Sequence, residues 1–148
     1  MKLGKIRTLR GQLTPPEGAS SAKRQLIVED GRLNIGYRVT SFQVWPADYD
    51  VNLSYQASLS VSNSGSDELD ASNSSQIAWV LGNYYLSTLP ATLDPEHIVN
   101  QELYIRTKFS DPFAKMNYLI EMVEVSLSDD EAIITIVKNS QQNTIDSV

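Results

Sequence analysis

The chain has 148 residues, with 12 Lys or Arg against 18 Asp or Glu, one histidine and no cysteine. This length suits a single domain with a buried core, and the lack of cysteine excludes disulfides, thiolate metal ligands and a thiol nucleophile. The sequence contains no apolar run long enough to cross a bilayer, and no apolar segment follows its basic start. We therefore expect neither a membrane partner nor a secretory signal.

The charge is split along the chain. The first 40 residues carry eight Lys or Arg and three acids, a net charge of +5, whereas the remainder carries a net charge of −11. This asymmetry predicts that the basic end faces an acidic surface: nucleic acid, another protein, a neighbouring copy, or the acidic body of its own chain. The candidate partner-binding residues are Lys2, Lys5, Arg7, Arg10, Lys23 and Arg24.

The N-terminal residues 1–14 form a basic, extended segment that ends at Thr14-Pro-Pro. We expect this segment to be an arm or an edge strand, because the two prolines stop a strand and a flexible link follows them. A single domain is then predicted over residues 15–140. Residues 141–148 form a polar tail with few apolar side chains to bury.

The first predicted hairpin is "QLIVEDGRLNIGYRV", from Gln25 to Val39. Asp30-Gly31 suits a type I′ turn, since both central positions of that turn need a positive φ. The second strand should continue to Trp45 and stop before Pro46. Gly36, inside that strand, indicates a bulge or a tight bend.

The clearest pattern is "VNLSYQASLSV", from Val51 to Val61, in which apolar and polar residues alternate. Period 2 over this length predicts an antiparallel strand with one buried and one wet face. The wet face carries Asn, Ser and Gln, and it is either solvent surface or an interface without buried charge. The Ser-rich segment 62–75 that follows reads as a long exposed loop.

Further strands are predicted over residues 76–81 and 98–107, and a last hairpin over residues 116–127 and 132–137. The only helical signal is a single turn at Asp94-Pro95. About eight short strands at this spacing predict an all-β protein, an antiparallel β-sandwich that includes the jelly roll among its possible forms.

Chemistry-bearing motifs are scarce. His97 follows Asp-Pro-Glu and is interpreted as a surface or capping residue. The acids that lie close together in sequence do not provide two carboxylates that face each other across a cleft: Asp48 with Asp50, Glu121 with Glu124, and residues 129–131. Asp67, Glu68 and Asp70 lack the spacing of a calcium loop. No phosphate-binding glycine loop is present. We therefore predict a non-enzymatic protein with no catalytic residue, metal or cofactor.

Two binding modes follow from side-chain types. Trp45 and Tyr49 lie beside Asp48 and Asp50, an arrangement that could stack on a sugar ring, with the Tyr84-Tyr85 pair as a further platform. The basic segment "KIRTLR" could touch phosphates. It lacks interleaved aromatics and belongs to an acidic chain, so sequence-specific nucleic-acid binding is not expected.

Four segments, "KIRTLRGQL", "LIVEDGRLNIGYRVTSFQVWP", "DPEHIVNQELYIRT" and "NYLIEMVEVSLSDDEAIITIVKNSQQ", resemble small virion proteins of marine tailed bacteriophages. The resemblance is to the capsid decoration or cement type. It implies a β-sandwich or jelly roll, made in the host bacterial cytoplasm and located in the virion. Its partners would be the major capsid protein and neighbouring copies, in a homotrimer. The same style fits a tail or connector protein, and a carbohydrate-binding module is the alternative from another class.

Overall fold

The computed structural model of the protein describes residues 2–28, 31–32, 34–47, 54–63, 68–83, 91–110 and 115–136. Residues 137–148, which include the predicted tail, lie outside this part of the chain. The described residues form eight strands: β1 (Lys2–Leu13), β2 (Ser21–Ile27), β3 (Ile35–Pro46), β4 (Ser54–Ser60), β5 (Gln76–Asn83), β6 (Thr92–Leu93), β7 (Glu102–Phe109) and β8 (Met116–Ser126). One short helix, α1, spans residues 129–136.

The strands make two antiparallel sheets. Sheet A has three strands in the order β1-β8-β3, and sheet B has five in the order β2-β7-β4-β5-β6. One apolar core lies between them and takes side chains from both, among them Phe42 and Ile120 of sheet A and Leu59 and Ile105 of sheet B. The predicted all-β sandwich is confirmed. Along the described ranges, no helix is long and apolar enough to cross a bilayer.

The centre of sheet A is β8, and its sequence alternation explains its position. Met116, Tyr118, Ile120 and Met122 are all buried and lie two residues apart, so they share the face that meets sheet B. β1 pairs along one side of β8, from Lys2 to Leu13, with a bulge between Leu3 and Ile6. The N-terminal segment is therefore an edge strand rather than a separate arm.

The hairpin predicted over residues 25–39 is wrong. β2 ends at Ile27 and pairs with β7 in sheet B, whereas β3 begins at Ile35 and pairs with β8 in sheet A. The connection does turn at Gly31, whose φ is +87°, but it carries the chain from one sheet to the other. Each strand gains a long partner in this way, and that pairing outweighs the local turn signal.

The last predicted hairpin is also wrong, because residues 129–136 form α1 instead of a strand. Ser128 and Glu131 make a capping box: the Ser128 N–H donates to Glu131 Oε1 at 3.2 Å, and the Glu131 N–H donates to Ser128 Oγ at 3.1 Å. Ala132 then packs on Val125 and Leu127 in a small second core. The signal Ser-x-x-Glu was present in the sequence.

The polar face of β4 is wet only where the strand begins, since Ser54 is exposed and Gln56 half-buried. Ser58 and Ser60 are only 2% and 1% exposed, because the chain after β4 folds back over this face of sheet B. Ser60 Oγ donates to the Ser62 carbonyl at 2.8 Å, and Ser75, at the other end of the segment, is fully buried. The segment predicted as a long exposed loop is thus buried at its two ends. It covers Ser58 and Ser60, which the sequence had offered as a possible interface with a partner.

Gly36 does not mark a bulge. The register of β3 shifts between Val39 and Ser41, whereas Gly36 pairs regularly with Val125. A Cβ at Gly36 would lie 2.6 Å from Ile98 Cγ2, so the glycine is needed for the close approach of the segment that carries Ile98.

Candidate interaction surface

One long side of the sandwich ends in two strand edges, β1 of sheet A and β2 of sheet B. Among the described strands, β1 pairs only with β8, and β2 pairs only with β7. Arg7 of β1 reaches the carbonyls of Ile27 and Val28 at the end of β2, so the two edges lie next to each other. We call the surface formed by residues 2–13 and 21–27 the β1–β2 side.

Hydrogen bonds at β3 fix the direction of the backbone groups of β1. Tyr37 exchanges two backbone hydrogen bonds with Val99 on the side away from β8, so Glu124, which lies opposite Tyr37, directs its N–H and C=O toward β1. Met122, two residues earlier on β8, also directs its N–H and C=O toward β1, where its register partner is Arg7. The backbone N–H and C=O groups of Arg7 and of every second residue after it in β1 therefore form hydrogen bonds with β8. The residues between them direct their backbone groups outward: Ile6, Thr8, Arg10 and Gln12.

Part of the other edge of sheet A, in the first half of β3, is covered by the chain itself. Tyr37 and Val99 form an isolated antiparallel bridge beside β3. Two residues further along β3, the Val39 N–H donates to His97 Nε2 at 2.9 Å. An edge strand exposes a row of backbone donors and acceptors, and proteins usually cover or blunt it. β3 is covered in this way from Tyr37 to Val39, and no described residue forms such a hydrogen bond with the outward backbone groups of β1.

His97 is a structural residue of the fold. It is only 7% exposed, which contradicts the predicted surface position. Because Nε2 accepts the hydrogen bond from Val39, the imidazole is neutral with its proton on Nδ1, and Nδ1 donates to the Asp94 carbonyl. Burial lowers the pKa of His97, since the charged form would lose its hydration and the Val39 N–H would lose its acceptor.

Arg7 joins the two sheets at the β1–β2 side. Its Nη1 donates to the Val28 carbonyl at 2.7 Å, and its Cζ lies 5.4 Å from the centroid of the Tyr37 ring. The guanidinium thus connects sheet A to the end of β2 and rests over an aromatic face. These contacts give Arg7 a role inside the fold, as in the predicted packing of the basic end on its own chain.

Arg24 makes the matching contact from sheet B. Its Nη1 donates to Tyr118 Oη at 3.3 Å, and its Cζ lies 6.0 Å from the centroid of that ring. Lys23, on the opposite face of β2, donates from Nζ to Asn63 Oδ1 at 2.7 Å and so holds the segment that covers sheet B. Both side chains remain exposed along much of their length.

The six candidate partner-binding residues therefore divide into groups. Lys2 begins β1 opposite Ser126. Arg7, Arg24 and Lys23 bind groups of their own chain. Lys5 and Arg10 are exposed on β1. The sequence predicted the basic end as a unit, and the structure brings five of its side chains to one side around two strand edges.

The predicted ligand platform is only partly described. Trp45 is the second-last residue of β3, which continues through Pro46, and its side chain is 42% exposed. Its register partner Asn117 accepts a hydrogen bond at 3.0 Å from Gln12 of β1. An exposed indole therefore lies beside two side-chain amides. The other candidate residues lie outside the described ranges: Asp48, Tyr49, Asp50, Tyr84 and Tyr85.

A shallow pocket of about 250 Å³, which sequence reasoning missed, lies where β4 begins and β7 ends. Its lining combines the largely apolar residues Tyr55, Leu81 and Phe109 with the polar residues Lys108 and Gln56. These residues come from three strands, so no local motif could have predicted it.

No metal site emerges from the described residues, which contain no group of three or more His, Asp or Glu side chains arranged as ligands. Of the acids considered for calcium, Asp67 lies outside the described ranges. Asp70 uses Oδ1 to accept hydrogen bonds from the N–H and Oγ of Ser72, and these hydrogen bonds lower the pKa of its carboxyl.

Comparison with known proteins adds no relative. No family model, curated protein or solved structure matches this chain. The resemblance to phage decoration proteins therefore depends on the quoted sequence segments alone, and it stays a prediction.

Proposed function

We propose that this chain is a non-enzymatic structural protein that binds an acidic protein surface through its β1–β2 side. The observation that carries the proposal is that two neighbouring strand edges, rich in Lys and Arg, lie on one side of a chain whose net charge is −6. Complementary charge steers such a surface to its partner and fixes its orientation.

The resemblance makes this proposal more specific. The acidic surface would belong to the major capsid protein of a tailed phage, and the chain would be a decoration or cement protein located in the virion. It would bind the assembled shell and neighbouring copies, as a homotrimer. Binding to the assembled state but not to free subunits would stabilise the shell by mass action.

A role without catalysis agrees with the state of the single histidine. Both ring nitrogens of His97 bind backbone groups of the chain, so neither is available to move a proton. Its lowered pKa reflects burial rather than a facing catalytic group.

The test is co-sedimentation of the purified chain with heads of marine tailed phages, together with its native mass by light scattering. The Lys5→Gln, Arg10→Gln double variant should bind the heads more weakly, since it removes two exposed charges from β1. A Lys108→Gln, Lys115→Gln variant is the matched control, because both lysines are exposed outside the β1–β2 side. Equal binding by the three proteins would overturn the proposal.

A carbohydrate-binding module is the second candidate, and the exposed Trp45 beside the Gln12–Asn117 amide pair favours it. An indole face stacks on a sugar ring while amides bind its hydroxyl groups. A glycan array with hits that Trp45→Ala abolishes and the Lys5, Arg10 variant retains would support this function. An array without hits would remove it.

A further inference from the structure

We infer that the outward edge of β1 is completed by an acidic, extended segment of a partner protein, which adds to sheet A as a fourth strand beside residues 6–12. This inference rests on the proposed function, because it specifies how the basic side would bind. Strand addition of this kind gains its affinity from main-chain hydrogen bonds and its specificity from alternate side chains.

The edge of β1 is suited to accept a strand. From Ile6 to Leu13 its pairing with β8 is regular, and the one bulge lies before Ile6. Residues 6–13 contain no proline. Four residues direct N–H and C=O groups outward, and their side chains are all exposed: Ile6, Thr8, Arg10 and Gln12. The chain covers the equivalent edge of β3 at Tyr37 and Val39, through Val99 and His97, whereas no such hydrogen bond covers the outward groups of β1 among the described residues.

The charge of β1 selects the kind of occupant. Residues 2–13 contain four Lys or Arg and no acid. A second copy of β1 would bring four more Lys or Arg to this edge with no acid to pair them, whereas an acidic strand would pair favourably. Arg7 uses its charge within the chain, so Lys5 and Arg10 are the cations that face the partner.

The side chains of β1 also predict a pattern in the partner. Ile6 is 76% exposed and lies on the same face as Arg10. Since side chains on one face recur every second residue, the partner strand should place an acid opposite Arg10 and an apolar residue opposite Ile6, four positions apart.

The experiment uses the full chain and a capped peptide of roughly ten residues, rich in Thr and Val, with a glutamate four positions from an isoleucine. Binding is measured by fluorescence anisotropy, with a peptide of the same composition in scrambled order as control. Thr8→Pro removes an outward N–H without removing a bond to β8, and prolines are tolerated on strand edges at such positions. We expect roughly tenfold weaker binding, the worth of about one hydrogen bond. Thr8→Val should bind as the parent does.

Hydrogen–deuterium exchange of the unchanged chain gives a readout that needs no variant. The amides of Thr8, Arg10 and Gln12 should become protected when the peptide binds, whereas those of Arg7, Leu9 and Gly11 are protected already. Unchanged exchange at the first three, or equal binding by Thr8→Pro and its valine control, would overturn strand addition. Concentration-dependent dimers that Thr8→Pro abolishes would assign the edge to a second copy and overturn the acidic partner.

The two proposals fail separately. Phage heads that bind the parent and Thr8→Pro equally, but bind the Lys5, Arg10 variant weakly, would leave the basic docking side in place and remove strand addition. Heads that bind all variants equally would remove the docking side itself, whatever the peptide does.

Discussion

At the scale of single residues, His97 gives the fold its clearest pH dependence. An unfolded chain binds a proton at His97 with the ordinary pKa of about 6.5, whereas the folded chain resists protonation because burial lowers the pKa. The contribution of neutral His97 to the stability of the fold is therefore fully present above the unfolded pKa. This contribution is lost as the pH falls from the unfolded pKa toward the lower folded pKa. Urea unfolding at pH 7.5 and 5.5 should show a larger loss for the parent than for His97→Gln. Equal losses would contradict the assignment.

Gly36 tests the close approach of the segment that covers β3. Ile98 is β-branched, so its Cγ2 cannot swing away when Gly36→Ala places a Cβ at 2.6 Å. We expect the free energy of unfolding to fall by about 1–3 kcal/mol, as overpacked sites do. Gly4→Ala is the control, because its nearest neighbour would be at 3.4 Å, and it should be neutral or slightly stabilising. Thermal unfolding of both variants measures the difference.

At the scale of elements, the cap of α1 decides between helix and strand. Ser128→Ala removes the hydroxyl that accepts the Glu131 N–H, and the loss of such a cap costs about 1 kcal/mol. Exchange of the amides of residues 131–134 should accelerate, while β8 keeps its protection. Ser74→Ala, on an exposed residue, is the control. An unchanged exchange rate in α1 would show that packing of Ala132 alone holds the helix.

The elements also show what sequence can predict. β8 could be predicted from sequence because every second residue from Met116 to Met122 is apolar and buried. The capping box at Ser128 was equally local, and it was missed because an apolar run after an acidic turn also suits a hairpin. The pairing of β2 and β3 could not be predicted from the local sequence, because the turn at Gly31 is compatible with a hairpin. The two strands belong to different sheets only because β2 pairs with β7 and β3 with β8.

At the scale of the whole molecule, the candidate site depends on topology. The sequence located the basic residues, but not that β1 and β2 end the two sheets on the same side. Nor could it show that Ser58 and Ser60, on the face of β4 expected to be wet, are covered by the chain's own segment. Because this part of the sheet face is covered, the candidate binding surface lies at the strand edges instead. The direction of the backbone groups of β1 follows there from the hydrogen bonds between Tyr37 and Val99.

The basic side chains should separate by function when they are replaced singly. Arg7→Gln loses a hydrogen bond to the Val28 carbonyl and the contact with Tyr37, so we expect unfolding to become easier by about 1–3 kcal/mol. Arg10→Gln should change stability by less than about 0.5 kcal/mol, as exposed surface changes do. Urea unfolding at low salt and at about 0.5 M salt checks both, because screening removes surface charge effects but not a part-buried hydrogen bond.

Arg7→Gln and Arg10→Gln should rank in the opposite order when binding is measured instead of stability. At a temperature where both variants are folded, Arg10→Gln should weaken association with phage heads, whereas Arg7→Gln should leave it nearly unchanged, because the Arg7 guanidinium is held by its own chain. Two variants with the same change in net charge then differ in both assays, in opposite directions. Equal weakening by the two would mean that the partner responds to total charge rather than to the exposed edge of β1.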